Sequence, residues 1–467
     1  MAFNENSRVK IPALLHLMKL GYTYIPLREQ IRREDTNIFE SIFLESLQKI
    51  NPNAQEEELK RVLDEVSLEL DYEDIGEKFY QRLTATSGIK LIDFKNFNNN
   101  SFHVTTELIC KNGDEEFRPD ITLLINGMPL AFVEVKKPHN KEGVLAERRR
   151  INTRFKQKHF RKFANATQLM VFSNNMEYED GIVEPVFGAF YATSAYADLH
   201  FNYFREDAYY PVKQELLVLS NELENFVLKD NNLLVIKHSP EFKTNKEAYT
   251  PTHRMLTSLF SRERLAFLLR YSIAYVREEN GLQKHIMRYP QVFATMAIAA
   301  KLEEGKTKGI IWHTQGSGKT ALAFYNVKHL TDYYQKKHII PKFYFIVDRL
   351  DLLIQASNEF AKRGLKVNKI NSRQEFIADL KVVGAIHNDS GQAEITVVNI
   401  QKFSEDSTVP EDIEYDINTQ RIFFLDEAHR SYNPKGNYLA NLINSDKKCG
   451  ENCFNGYTTF KGSSERI

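Results

Sequence analysis

Cysteine is scarce in this 467-residue sequence, occurring only as Cys110, Cys449 and Cys453. Three thiols cannot frame a disulfide scaffold, and Cys449 with Cys453 lacks the further ligands of a structural zinc, so a reducing, cytoplasmic setting is expected. Net charge is also missing: 62 Lys and Arg balance 62 Asp and Glu. That excludes a global basic field, so any nucleic-acid contact must come from local clusters. No apolar run approaches the ~20 residues of a membrane span, and no membrane partner is expected. Ile11–Leu20 is interrupted by His16 and Lys19 and has no small-residue cleavage site, which excludes a secretion signal. There is no internal repeat.

What remains is an ordinary globular composition, 42% apolar and 27% charged, long enough for about two to three domains. Residues 36–83 carry apolar positions at helical spacing, with a break at Asn51-Pro52. From Phe102 the pattern turns to short β-branched runs, Phe102–Ile109, Ile121–Ile125, Leu130–Val135, Leu169–Ser173 and Pro185–Tyr191, around a charged helical stretch, Lys141–Lys162. This predicts a mixed α/β domain over residues 1–235 with a helical lead-in. A polar stretch predicts a linker over 236–255, and a helical segment is expected from Pro251 to about Glu279. Beyond Pro290, strands and helices alternate, which predicts a doubly wound parallel sheet over 256–446. Residues 447–467 read as a truncated or irregular tail.

Two segments carry chemistry. In Arg118-Pro119-Asp120 through Glu134-Val135-Lys136, two strands flank a turn at Asn126–Pro129. Alternation puts Glu134 and Lys136 on one face, and a hairpin would bring Asp120 beside Glu134. Asp120 and Glu134 suit Mg²⁺, a hard cation satisfied by one or two carboxylates, waters and a phosphate. Lys136 would orient the attacking water or stabilise developing charge. A solvated hairpin with an ordinary Glu–Lys pair is the plainer alternative, but these charges interrupt an apolar run, where unpaired charge is costly. The helix that follows bears Arg148, Arg149, Arg150, Arg154, Lys156, Lys158, Arg161 and Lys162, which form either a phosphate-facing surface or a solvated face.

Further on, His313-Thr314-Gln315-Gly316-Ser317-Gly318-Lys319-Thr320 sits between an apolar strand and a helix. The backbone of Gly316, Ser317 and Gly318 would cradle the phosphates of ATP, Lys319 would reach β and γ, and Thr320 would hold Mg²⁺. The strand Arg421–Leu425 ends in Asp426-Glu427-Ala428-His429. Asp426 is the candidate second metal ligand and Glu427 the group that orients the water, while His429 would couple nucleotide state to DNA.

Pro119-Asp120 with Glu134-Val135-Lys136 resembles the PD-(D/E)xK nuclease superfamily, and the intervening Asn-Gly-Met-Pro-Leu resembles the nuclease domain of type I restriction enzyme R subunits. A Gln-x-x-x-Tyr element common there is not matched by Gln157 and Arg161. Such nucleases often add an acid from the N-terminal helices, for which Glu40 and Glu45 are the candidates. Asp-Glu-Ala-His resembles motif II of superfamily-2 helicases, and Tyr289-Pro290-Gln291 resembles their glutamine element, making Gln291 a candidate adenine contact. The resemblance implies a PD-(D/E)xK domain followed by a RecA-like lobe. It also implies Mg²⁺-dependent cleavage of double-stranded DNA coupled to ATP-driven translocation, beside separate methyltransferase and specificity subunits. The sequence stops before the next helicase motif and a second lobe, so the expectation is weak nucleotide binding without translocation. A nuclease–helicase of another defence or repair system, or a non-catalytic DNA-binding fragment, are the alternatives.

Overall fold

Asn126 and Gly127 take positive φ, 48° and 77°, the left-handed pair with which a two-residue turn matches the twist of its strands. The turn joins Ile121–Ile125 to Met128–Val135 as an antiparallel hairpin, with Ile125 opposite Met128 and Ile121 opposite Val133. Between those pairs the register shifts at Leu123/Leu124, opposite the segment containing Pro129, whose missing N–H suits an irregular position in the ladder. Gly127 is required by contact as well as by φ. A Cβ there would lie 2.7 Å from the Phe39 carbonyl oxygen and 2.8 Å from the Phe43 nitrogen, because the turn is pressed against the start of helix Glu40–Ile50.

The structure, a computed structural model, describes residues 5–29, 31–112, 115–138, 140, 143–178, 187–196, 198–206, 216–247, 249–311, 318–381, 393–399, 419–426 and 454–457. They form two units: Met1–Tyr275 with Asn280–Arg288, and Val276–Glu279 with Tyr289–Ile467.

In the first unit the hairpin is central to a seven-stranded mixed sheet. Its order is Thr23–Tyr24, Phe102–Thr106, Ile121–Ile125, Met128–Val135, Leu169–Ser173, Ala189–Ala192, Asn202–Tyr203. Both hairpin strands are buried along their whole length, so alternation marks the two faces of a covered sheet, not water against core. Phe132 stacks on Phe163, with Phe117, Phe155 and Phe172 around them. The helical lead-in resolves into Glu40–Ile50, Glu56–Glu69 and Glu77–Leu83.

The expected linker over 236–255 is not one. Helix Pro240–Glu247 and helix Pro251–Phe260 belong to the first unit, where Arg8 pairs with Glu241 at 2.7 Å and His16 stacks on His253 with ring centroids 4.4 Å apart. The stretch ahead of Pro251 is polar in sequence, whereas helix Pro251–Phe260 buries its own Met255, Leu256, Leu259 and Phe260 in the same unit as the N-terminal helix Ile11–Lys19, itself buried along nearly all of its length. The helix expected from Pro251 to Glu279 also breaks, into Pro251–Phe260, Arg262–Tyr271 and a strand, Ile273–Glu278.

The second unit holds six parallel strands in the order Lys308–Ile310, Phe454–Tyr457, Thr419–Leu425, Ile340–Val347, Glu394–Asn399, Lys366–Ile370. Helices Lys319–Gln335, Leu350–Lys362 and Arg373–Lys381 alternate with them, giving the α/β class that the alternation predicts. The tail is a correction: within 447–467, Phe454–Tyr457 is a strand paired on both sides. Four residues including a glycine carry no usable periodicity, and the pairing comes from the neighbouring strands. Among the described residues no helix is long and apolar enough to cross a membrane.

Candidate nuclease centre and nucleotide cleft

The hairpin register that pairs Ile121 with Val133 sets Asp120 across from Glu134. Asp120 is fixed there by the Val135 N–H, which donates to its Oδ2 at 2.9 Å. Glu134 is only 4% exposed, and its Oε1 is buried without a hydrogen-bond partner among the described residues. Burial, then the neighbouring Asp120 and Glu147, push the Glu134 acid well above the usual carboxylate range, against the pull of Lys136. Lys136 sits among three carboxylates, with Nζ 3.3 Å from Glu147 Oε2, 3.7 Å from Glu134 Oε2 and 4.0 Å from Asp120 Oδ2. Burial alone would depress the lysine, but Glu134, Glu147, Asp120 and Glu5 outweigh it and hold the ammonium above its ordinary value.

Sequence reasoning missed three residues of this cluster. Glu147 lies on helix Gly143–Phe155 as the one acid before three consecutive arginines, and it turns inward, 3% exposed, to Lys136, Arg150 and Arg154. Lys10 is buried, bonds to Glu107, and reaches within 3.5 Å of Asp120 Oδ1. Glu5 is the N-terminal acid that reaches this cluster. Burial raises its pKa, Lys136 lowers it and Asp120 raises it, and it accepts the Lys137 N–H. The expectation of Glu40 or Glu45 is therefore corrected: Glu40 faces Arg33 at 3.6 Å and Glu45 is exposed. An acid just ahead of the buried N-terminal helix was the available signal.

The basic helix is neither wholly phosphate-facing nor wholly solvated. Arg150 and Arg154 are tied to Glu147, and Arg154 also covers Phe117 at 4.4 Å. Lys162 pairs with Asp35 at 2.6 Å, and Arg161 donates to the Asp71 carbonyl at 3.2 Å. Arg149, Lys156 and Lys158 remain exposed.

No group of three or more His, Cys, Asp or Glu among the described residues is arranged to hold a metal. The donor set here is smaller, the facing carboxylates of Asp120 and Glu134. Two carboxylates suffice for Mg²⁺ when waters and a phosphate complete its shell. An orphaned buried oxygen on Glu134 and the repulsion between the two acids fit a cation between them.

In the second unit, helix Lys319–Gln335 begins after Gly318, whose φ is 79°. A Cβ on Gly318 would lie 2.7 Å from Gln291 Nε2, which donates to the Gly318 carbonyl at 3.0 Å. Gln291 thus tethers helix Tyr289–Glu303 to the start of helix Lys319–Gln335. Asp426 follows strand Thr419–Leu425, its N–H donating to Ile346 O at 3.0 Å. Lys319 and Asp426 line one small cleft with Asn326 and Phe345, and Thr320 is the second residue of the helix. Gly316, Ser317, Glu427 and His429 lie outside the described residues.

Residues 2–183 match the family described as type I restriction enzyme R protein N terminus. Residues 284–450 match that described as type III restriction enzyme, res subunit. A Methanocaldococcus jannaschii protein, provisionally named as the MjaIXP type I restriction enzyme endonuclease subunit, is 28% identical over 468 residues, covering 92% of this chain and 40% of its own length. A type I restriction enzyme endonuclease subunit of Staphylococcus aureus is 26% identical over 446 residues, again 92% of this chain and 40% of its own. The chain is similar to the N-terminal part of type I restriction enzyme R proteins. The two family matches fall one on each unit, and the chain spans about 40% of the length of these R-protein relatives.

Proposed function

We propose that the first unit is a Mg²⁺-dependent nuclease for double-stranded DNA and that the second binds ATP, the pair acting as the cutting and part of the driving portion of a type I restriction system. The observation that carries the reading is the convergence of Asp120, Glu134 and Lys136 on one hairpin end, with Glu134 buried and one of its oxygens unpartnered.

Asp120 and Glu134 would hold the metal, and a bound Mg²⁺ supplies Lewis acidity toward a phosphate oxygen and a more acidic water. The protein's own part is placement. The Val135 N–H fixes Asp120, the covered strands keep bulk water from Glu134, and Lys136 keeps an ammonium within 4.0 Å of both carboxylates. That ammonium is in position to stabilise negative charge building on the phosphodiester. Glu5 and Lys10 bring the N-terminal segment to the same place.

In the second unit, Lys319 and Thr320 would meet the nucleotide phosphates, Asp426 the accompanying Mg²⁺, and Gln291 the base. Gly316, Ser317 and Glu427 keep the roles that their motif implies. Coupling to DNA translocation, work beside methyltransferase and specificity subunits, and a cytoplasmic location belong to the same proposal.

The test is Mg²⁺-dependent nicking of supercoiled plasmid by the chain, by Asp120→Ala and by Lys136→Ala. Loss in both variants supports the nuclease; equal residual nicking in all three proteins rejects it.

A further inference from the structure

Away from the carboxylates, toward the other end of the strand pair Phe102–Thr106 and Ile121–Ile125, the first unit has an open recess of about 420 Å³ with almost wholly polar walls. Gly21, Thr23, Asn98, Ser101, His103 and Arg262 line it. Arg262 opens helix Arg262–Tyr271 and lies over Phe102, its guanidinium carbon 3.4 Å from the ring centroid, with Tyr22 at 4.5 Å. Its Nη2 donates to the Gly21 carbonyl at 2.6 Å. That approach needs the glycine, which has φ 94° and would bring a Cβ to 3.2 Å from Nη2.

Beyond a hydrogen bond with Tyr22, the cation has no compensating negative charge among the described residues. Arg262 Nη1 is buried without a hydrogen-bond partner, and no carboxylate among the described residues pairs with it. His103, on the neighbouring strand, also has a buried Nδ1 without a partner. An unpaired, partly desolvated guanidinium is costly. One already locked by ring stacking and a backbone carbonyl gives up little further freedom when it meets an oxyanion. The rim offers hydroxyls and an amide and no acid that would repel such a ligand.

We infer that this recess is a binding site for one phosphate-class oxyanion, with Arg262 as its principal donor and His103 and the polar rim completing it. The oxyanion has two sources, a phosphodiester of duplex DNA or free phosphate. Four residues run from His103 to Glu107, whose N–H meets the Asp120 carbonyl. At about 3.4 Å per residue this is roughly 14 Å, or about four base-pair steps of duplex. The DNA source rests on the nuclease reading, whereas the free-phosphate source does not.

The experiment uses the full chain. Inorganic phosphate exchanged for chloride at constant ionic strength is expected to raise the melting midpoint by roughly 2–4 °C. Arg262→Gln should abolish the rise. So should Asn98→Asp, which adds negative charge at an exposed position, and His103→Gln should reduce it. If Arg262→Gln does not fold, the other two variants carry the test. In parallel, the log–log salt slope of duplex DNA affinity is compared between wild type and Asn98→Asp. A slope smaller by about 1 in the variant, with or without a phosphate shift, assigns the backbone as source. An unchanged slope with the phosphate shift lost assigns free phosphate. A phosphate shift of equal size in every variant, or no wild-type shift together with an unchanged slope, overturns the site. Neither readout needs nicking activity, so failure here and failure of the nuclease proposal are separable.

Discussion

Lys136 Nζ is 3.3 Å from Glu147 Oε2, nearer than it is to either carboxylate of its own hairpin. Glu147 in turn takes Arg150 at 3.1 Å and Arg154 at 3.4 Å. The ammonium expected to act on the phosphodiester is therefore aimed from outside the motif that announces it.

Replacing Glu147 by Ala should lower plasmid nicking by about 10–100-fold, the usual range for residues that orient a metal-site group from behind. Glu147→Gln, which keeps a hydrogen-bond acceptor beside the lysine, should recover part of that loss. Nicking rates at saturating Mg²⁺ for the two variants check this; equal losses would leave Glu147 with only a structural role.

Gly127→Ala should destabilise the first unit by about 2–4 kcal/mol, combining a left-handed backbone that alanine resists with a clash against Phe39 and Phe43. The readout is the urea midpoint followed by a signal from the first unit. Nicking should fall too, because the turn sets the register that places Asp120 opposite Glu134.

Lys284 gives a pH signature. It is fully enclosed, donating to the Thr167 carbonyl at 2.9 Å and to Ser194 Oγ at 3.1 Å, and burial pulls it down to about 7. Between pH 7 and the ordinary lysine value the unfolded chain holds a proton that the folded chain has released, so stability rises with pH across that window. Denaturation at pH 7 and pH 9 should show the rise, and Lys284→Met should flatten it.

His16 acts at the acidic side. Burial, then His253 and Lys19, lower it to about 3, so the folded chain keeps it neutral while the unfolded chain protonates near 6.5. Its contribution is intact above about pH 6.5 and is lost as pH falls toward 3. Melting curves at pH 7 and pH 5 should show a smaller drop for His16→Gln than for wild type.

In the second unit, Gln291→Ala removes the tether to Gly318. ATP affinity should weaken by about tenfold, the equivalent of one hydrogen bond of roughly 1.4 kcal/mol. Titration with a fluorescent ATP analogue checks it.

Where local chemistry was decisive, the sequence was readable. Asn126-Gly127 between two apolar runs announces a hairpin, and the pairing of Asp120 with Glu134 follows from it. The strand–loop–helix leading into Lys319 is legible for the same reason. What escaped depends on distant partners. Glu147 reads as one acid in a basic helix until folding turns it toward Lys136. Glu5 lies far from the hairpin in sequence, and helix Pro240–Glu247 looks like a polar junction until it meets the N-terminal segment, where Arg8 pairs with Glu241. Phe454–Tyr457 has too little pattern of its own to be seen without the strands beside it.

That last strand bears on how the protein is made. Lys308–Ile310, which precedes helix Lys319–Gln335, has Phe454–Tyr457 as its one neighbour in the sheet among the described residues. During synthesis the first unit has all its strands once Arg288 has left the ribosome. The parallel sheet of the second unit must wait for a segment nearly 150 residues downstream of Lys308, a long-range parallel pairing of the slow-forming kind. The first unit is thus ready to fold while the strand ahead of Lys319 still lacks its partner.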